Sequence, residues 1–233
     1  MSEKRIALVT GASRGIGRAV VRQLAREGAR VICIARAQQA LEKLDDQIKA
    51  DGGEATLVPL DLRDGDSIDR LAPALLERFG KLDALAGCAG ALGSLTPVHQ
   101  ATPALMDEVM SVNFAANQRL IRALHPLLRA SEAGRAVFLT SGVAAQGRAY
   151  WGPYAASKAA LEGLVNSYAA EVAITPIRVN LFNPGPTRTA MRAKAFPGED
   201  PLTLPSPEEV APQITALLRA ESTKNAELVA FVR

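Results

Sequence analysis

Short apolar runs separated by segments of helical spacing dominate the chain. The runs, at residues 6–9, 31–35, 55–60, 82–89, 136–140, 177–182 and 227–232, are each a strand in length, and their continuous apolar character predicts strands buried on both faces. Between them, apolar residues recur at three and four positions, as at Ile16, Val20, Val21 and Leu24 or at Leu161, Leu164, Val165 and Tyr168. That spacing lays them on one face of a helix. Strand and helix therefore alternate, which requires parallel strands joined by right-handed crossovers with helices over both sheet faces. The expected fold is α/β: a doubly wound parallel sheet of seven strands forming one domain over residues 1–233. No Ser- or Gly-rich linker divides it, and no repeat of solenoid period occurs. The one irregular stretch, 184–207, carries Pro184, Pro186, Pro197, Pro201, Pro205 and Pro207. It leaves the carboxyl end of the sixth strand, where open α/β sheets bind ligands, so residues of about 186–205 read as a lid over a site.

Composition narrows the function classes. With 48% hydrophobic and 22% charged residues among 233, the chain can bury a core, which excludes a disordered protein. The net charge of +3 comes with no block of consecutive Lys and Arg, so neither nucleic acid nor a membrane surface is an expected partner. No stretch approaches a membrane span. The N-terminus passes from Met1 through Glu3, Lys4 and Arg5 into an apolar run too short for a signal peptide, and the expected location is cytoplasmic. Cys33 and Cys88 with His99 and His125 make neither a disulfide framework nor a zinc site of Cys and His alone, and no metal is expected.

The first strand runs into Thr10-Gly11-Ala12-Ser13-Arg14-Gly15-Ile16-Gly17 and then directly into a helix. Gly11 permits a sharp turn, Gly15 a close backbone approach to a diphosphate, and Gly17 tight packing of helix on sheet, while the helix N-terminus presents free N–H groups. A bare glycine cluster is a weak signal, because a plain turn uses the same residues. Placement after the first strand of a doubly wound sheet favours a nucleotide site. Gly11 to Gly15 also fits the Gly-x-Ser-x-Gly elbow of serine hydrolases, with Ser13 as nucleophile. Only one strand precedes it, however, and no His follows His125. A Walker phosphate loop fails for want of Gly-Lys-Ser/Thr, and the acids of 61–69 miss the positions of a calcium loop. The second strand ends at Ala35-Arg36, without the acid that would accept from a ribose 2′-hydroxyl. A guanidinium there grips a 2′-phosphate, with Arg14 able to close on it, which favours NADP(H) over NAD(H). The competing reading makes Arg36 a solvated residue opening the next helix.

Tyr154 and Lys158 stand four apart in a helix opening near Pro153, so phenol and ammonium share one face. A nearby cation favours phenolate and brings a phenol toward acid–base work at neutral pH. Alone, such a pair is ordinary helix surface.

Together these motifs are similar in identity, order and spacing to the short-chain dehydrogenase/reductases, a Rossmann-fold family, over nearly the whole chain. The resemblance implies Tyr154 as catalytic acid–base, Lys158 as the residue that lowers its pKa and holds the nicotinamide ribose, and Ser141 as the donor to the substrate oxygen. It implies Asn113, in Ser111-Val-Asn-Phe114, as a fourth member that anchors a water in the proton relay. Asp61 and Leu62 match the adenine contact; Pro184, Gly185 and Thr187 match the segment beside the nicotinamide amide. The bland alternatives are a capping Ser141 and a buried, satisfied Asn113.

Two departures stand out. The family's Asn-Asn-Ala-Gly after strand four is here Gly87-Cys88-Ala89-Gly90, which keeps backbone cofactor contacts at Cys88, Ala89 and Gly90 but loses the amide that ties strand four to its neighbours. Cys88 is expected to fill space rather than react. The end, 227–233, lacks the Gly-rich strand and tail of relatives, which puts the usual tetramer interface in question.

The implied function is an NADP(H)-dependent oxidoreductase passing hydride between nicotinamide and a carbonyl or secondary alcohol. The alternatives are a nucleotide-binding regulatory module without turnover and the Ser13 hydrolase. Met191, Phe196, Leu202 and Leu204 beside Arg188, Arg192 and Lys194 suggest an apolar pocket with a cationic rim. The lid is also similar to that of a bacterial branch of the family with no assigned substrate. In relatives, helices equivalent to 102–130 and 152–173 pair across a two-fold axis, so a homodimer or homotetramer is expected.

Overall fold

The computed structural model describes residues 4–233; Met1–Glu3, the start of the charged N-terminal run, lie outside it. Its strands are β1 (Ile6–Thr10), β2 (Arg30–Ala35), β3 (Glu54–Pro59), β4 (Ala84–Gly87), β5 (Arg135–Leu139), β6 (Arg178–Asn183) and β7 (Leu228–Ala230). They form one sheet of seven in the order β3-β2-β1-β4-β5-β6-β7, every neighbouring pair parallel. The helices are α1 (Gly15–Arg26), α2 (Gln38–Ala50), α3 (Gly65–Phe79), α4 (Pro103–Met110), α5 (Ala116–Ala130), α6 (Gly152–Glu171), α7 (Ala190–Ala195) and α8 (Pro207–Leu218).

Strand alternation divides the core into two layers. Ala7 and Val9 of β1 face a layer closed by α1, α2 and α8, while Ile6 and Leu8 face the layer closed by α3, α5 and α6. The two windings part between β1 and β4, and the crevice outside their carboxyl ends receives the glycine turn, the end of β4 and the start of α6. At the opposite edge, Arg5 donates to Leu218 O, an orphan carbonyl of the last turn of α8, at 2.7 Å, and Arg135 to Ala220 O, just beyond that helix, at 2.5 Å. Ser206 and Glu209 close its start as a capping box. Among the described residues, no helix is long and apolar enough to cross a membrane.

The structure corrects three expectations. β3 and β7 are not buried on both faces: β3 is half-buried with exposed ends, and β7 has three residues, two of them exposed. Both are sheet edges, with one neighbour each. The helix expected over 102–130 is broken at Ser111–Ala115, a π-helical turn between α4 and α5 that carries Asn113; such turns are frequent at functional sites and leave no trace in apolar spacing. The irregular stretch after β6 contains α7, capped by Thr189, whose hydroxyl accepts from Arg192 N at 3.2 Å.

Candidate active site

Gly11 takes a left-handed φ of +66°, and a Cβ there would lie 2.9 Å from Ala89 Cα. A Cβ on Gly17 would stand 2.3 Å from Gly11 O. The sequence thus packs the first turn of α1 against β1 and the end of β4, as only hydrogen side chains allow. Thr10, which sequence reasoning passed over, locks the same corner: its Oγ1 accepts from Ala89 N at 3.1 Å. The N-terminus of α1 has no capping side chain and no acid in its first turn, so its N–H groups are left for an anion. Arg14 and Arg36 are exposed beside this turn and at the carboxyl end of β2, and neither side chain has an ion pair or hydrogen bond among the described residues. This donor set fits a nucleotide diphosphate with one further phosphate. Asp61 is held by Arg63 through Nε at 3.0 Å and Nη2 at 2.5 Å, which with Arg36 nearby keeps its carboxyl below the usual range. Leu62 is buried in the core. Gly185 has φ +63°, and Thr187, buried, donates to Pro184 O at 3.2 Å.

Ser13 is half-buried in the glycine turn, and His125 makes its contact elsewhere, Nδ1 lying 3.0 Å from the Tyr168 hydroxyl. No hydrogen bond joins Ser13 to a histidine among the described residues, so a Ser–His pair is not assembled there.

Asn113, Ser141, Tyr154 and Lys158 are brought together at the other side of the crevice. Asn113 is fully buried; its Nδ2 donates to Ala91 O and Ser157 Oγ at 2.9 Å each, and its Oδ1 accepts from Ala91 N at 2.8 Å. Its side-chain amide thus braces Ala91 and Ser157, and its backbone carbonyl accepts from Asn117 Nδ2 at 2.8 Å. Ser157 continues the chain to Tyr154 O at 2.7 Å, a positioning contact that the Tyr/Lys spacing did not signal. Gly90 completes the group: a Cβ there would be 3.5 Å from Asn113 Oδ1 and 3.9 Å from Lys158 Nζ.

Lys158 is buried, donates to Leu139 O at 2.8 Å, and lies 5.9 Å from the Tyr154 ring centroid. Burial pulls its ammonium down to about 8, with Cys88 and Glu162 acting against that. Tyr154, also buried, is pushed up to about 12 by desolvation, and a hydrogen bond with Ser141 pulls the other way. The expected lowering by Lys158 is not among the influences on the phenol in this arrangement, where burial dominates.

At the altered strand-four end, the missing amide is replaced by packing. A Cβ on Gly87 would lie 2.5 Å from Phe138 Cδ1, so the ring of its fully buried partner on β5 fills the space. Burial pushes the Cys88 thiol up to about 12, leaving it a weak nucleophile.

The lid closes on Tyr154. Met191 and Phe196 pack against Leu92, Trp151 and Tyr154, with Trp151 and Phe196 ring centroids 5.8 Å apart. The cationic rim is mostly committed to holding the lid itself. Arg192 stacks 3.7 Å over Phe196 and forks onto Glu199 at 2.6 Å, and Lys194 donates to Gly93 O at 2.7 Å; the Arg188 side chain is exposed and has no such tie among the described residues. Leu202 is exposed, and neither it nor the half-buried Leu204 belongs to the apolar cluster that Met191 and Phe196 form with Tyr154.

Comparison with known proteins gives consistent results. A family model described as short chain dehydrogenase matches residues 5–200. The chain is 41% identical over 223 residues to the Uncharacterized oxidoreductase YciK of Escherichia coli (strain K12), covering 94% of this chain and 88% of that protein. It is 36% identical over 232 residues to an A-factor type gamma-butyrolactone 1'-reductase (1S-forming) of Streptomyces virginiae, covering 98% and 88%. Among solved structures, a short chain dehydrogenase from Shigella flexneri 2a str. 301 complexed with NADP matches with a TM-score of 0.93 at 40% identity, covering 97% of this chain and 96% of that one. One from Escherichia coli CFT073 complexed with NADPH matches with a TM-score of 0.91 at 40% identity, covering 97% and 95%.

Proposed function

The chain belongs to the short chain dehydrogenase family of oxidoreductases, and on that premise we propose that it uses NADP(H) to interconvert a carbonyl and a secondary alcohol through Ser141, Tyr154, Lys158 and Asn113. The observation that carries this reading is the buried cluster at the carboxyl ends of β4 and β5, where the Tyr154 ring lies 5.9 Å from Lys158 Nζ with Ser141 acting on its phenol, and the uncapped turn of α1 stands across the crevice. When bound, the cofactor supplies the hydride. Gly11, Ser13, Gly15, Ile16 and Gly17 would hold its diphosphate, Arg14 and Arg36 its 2′-phosphate, and Asp61 and Leu62 its adenine. Cys88, Ala89 and Gly90, with Pro184, Gly185 and Thr187, would line the remainder toward the nicotinamide.

Ser141 and Tyr154 hold the substrate oxygen. As negative charge develops on that oxygen, Tyr154 transfers its proton to it, and the Lys158 cation stabilises the phenolate left behind. Asn113 fixes the π-helical turn against Ala91 and Ser157 so that these groups keep their places. The apolar residues of the lid exclude water from the reacting centre. NADP-complexed and NADPH-complexed relatives of 40% identity support the cofactor assignment.

The test is Tyr154→Phe, assayed by NADPH consumption over a panel of aldehydes and ketones. Turnover is expected to fall ~10²- to 10⁴-fold with NADPH affinity retained. Undiminished turnover would remove Tyr154 from the acid–base role.

A further inference from the structure

Three consecutive residues at the carboxyl end of β5 each hold one residue of α6. Ser141 acts on the Tyr154 phenol, the Leu139 carbonyl accepts from Lys158 Nζ at 2.8 Å, and Thr140 Oγ1 donates to Glu162 Oε1 at 2.5 Å. The helix partners are four residues apart, so they rise along one face, a turn at a time. Thr140 is itself fixed, buried and donating its N–H to Phe182 O at 2.9 Å, so the third rung is built on the sheet as firmly as the other two. The proposed reaction uses the first two rungs and leaves Thr140 and Glu162 unassigned.

We propose that Glu162 is a positioning residue whose carboxylate, tethered by Thr140, holds Lys158 in its cationic form beside Tyr154 and sets the register of α6 on β5. The inference rests on the reading of Lys158 as the cation of the reacting centre. A buried ammonium is costly without a counter-charge. The groups acting on Lys158 are Tyr154 and Glu162 from α6 and the thiol of Cys88 from the end of β4, and the last two raise its affinity for the proton. Of these, Glu162 alone carries a carboxylate. It shares the helix face of Lys158, and the bond from Thr140 keeps it from turning out to solvent.

Lys158 can be titrated directly by NMR in the unliganded full chain carrying lysine labelled with ¹³C at Cε, its signal assigned from its loss in Lys158→Arg. Glu162→Gln keeps an acceptor for Thr140 and removes the charge; the Lys158 midpoint is expected to fall below that of the unsubstituted protein with the unfolding temperature little changed. Thr140→Val keeps the charge but cuts the tether, and is expected to move the midpoint the same way by less. A midpoint unchanged in both variants would overturn the proposal, and a loss of thermal stability without a shift would reduce Glu162 to a structural contact. The readout needs no cofactor or turnover. A chain that reduces nothing would defeat the functional reading while leaving this titration standing, and an active reductase with an unmoved midpoint would do the reverse.

Discussion

Restoring the family's asparagine at the end of β4, as Gly87→Asn, tests how this chain lives without it. The new Cβ would stand 2.5 Å from Phe138 Cδ1 and 3.0 Å from Asn117 Oδ1, both on fully or nearly fully buried side chains. Phe138 has nowhere to go, because it lies in the core layer under α3, α5 and α6. Overpacking of this kind costs about 1–3 kcal/mol, while the lower backbone entropy of an unfolded non-glycine returns only about 0.4–1 kcal/mol, so the clash wins. For a chain of this size, each kcal/mol corresponds to roughly 2–4 °C in Tm, so a fall of several degrees is expected. The assay is thermal and urea unfolding of Gly87→Asn, Phe138→Leu and the double variant. With ring and glycine as a compensating pair, the asparagine should cost less in the leucine background, with a coupling of about 0.5–3 kcal/mol. An asparagine that stabilises the native chain, or that costs the same in both backgrounds, would refute the argument.

Other consequences follow from single contacts. Arg36→Glu should weaken NADPH binding by tenfold or more at low ionic strength while leaving NADH binding equal or stronger; equal loss for both cofactors would make Arg36 a general surface charge. Lys194→Ala removes the donor to Gly93 O that ties the lid to the segment after β4, and should raise amide exchange over α7 without lowering the global unfolding temperature by more than a degree or two; unchanged exchange would show that the apolar contacts alone keep the lid shut. Glu54 joins Lys4 and Arg30, which hold its carboxyl down at about 2. Since the folded value is depressed, the contribution is present above the ordinary 4.5 and is lost as pH falls toward about 2, so the stability difference between the native chain and Glu54→Gln should vanish across that window.

Most of the architecture was legible because parallel strands covered on both faces read as continuous apolar runs and their helices as three-and-four spacing. The edges misled for the same reason: β7 is apolar at Leu228 and Val229 yet only three residues long, with Leu228 exposed, and an apolar run does not say whether a helix will cover it. The Tyr154/Lys158 pair and the glycine turn were visible because their chemistry depends on fixed local spacing. Thr10, Ser157, Thr140 and Glu162 were not, since their partners lie 79, 44 and 22 residues away for the Thr10, Ser157 and Thr140 bonds, and no local pattern marks them. The π-helical turn at Asn113 was hidden by its unbroken helical composition, and the replacement of an asparagine by the Phe138 ring exists only as a contact across two strands.

The central claim, a Rossmann site built for NADP(H), is tested most directly by calorimetric titration of the folded protein with NADPH and NADH side by side. The account predicts saturable binding of both, NADPH the tighter by at least tenfold, with the difference abolished in Arg36→Glu. Absence of binding by either cofactor to the folded chain would contradict it.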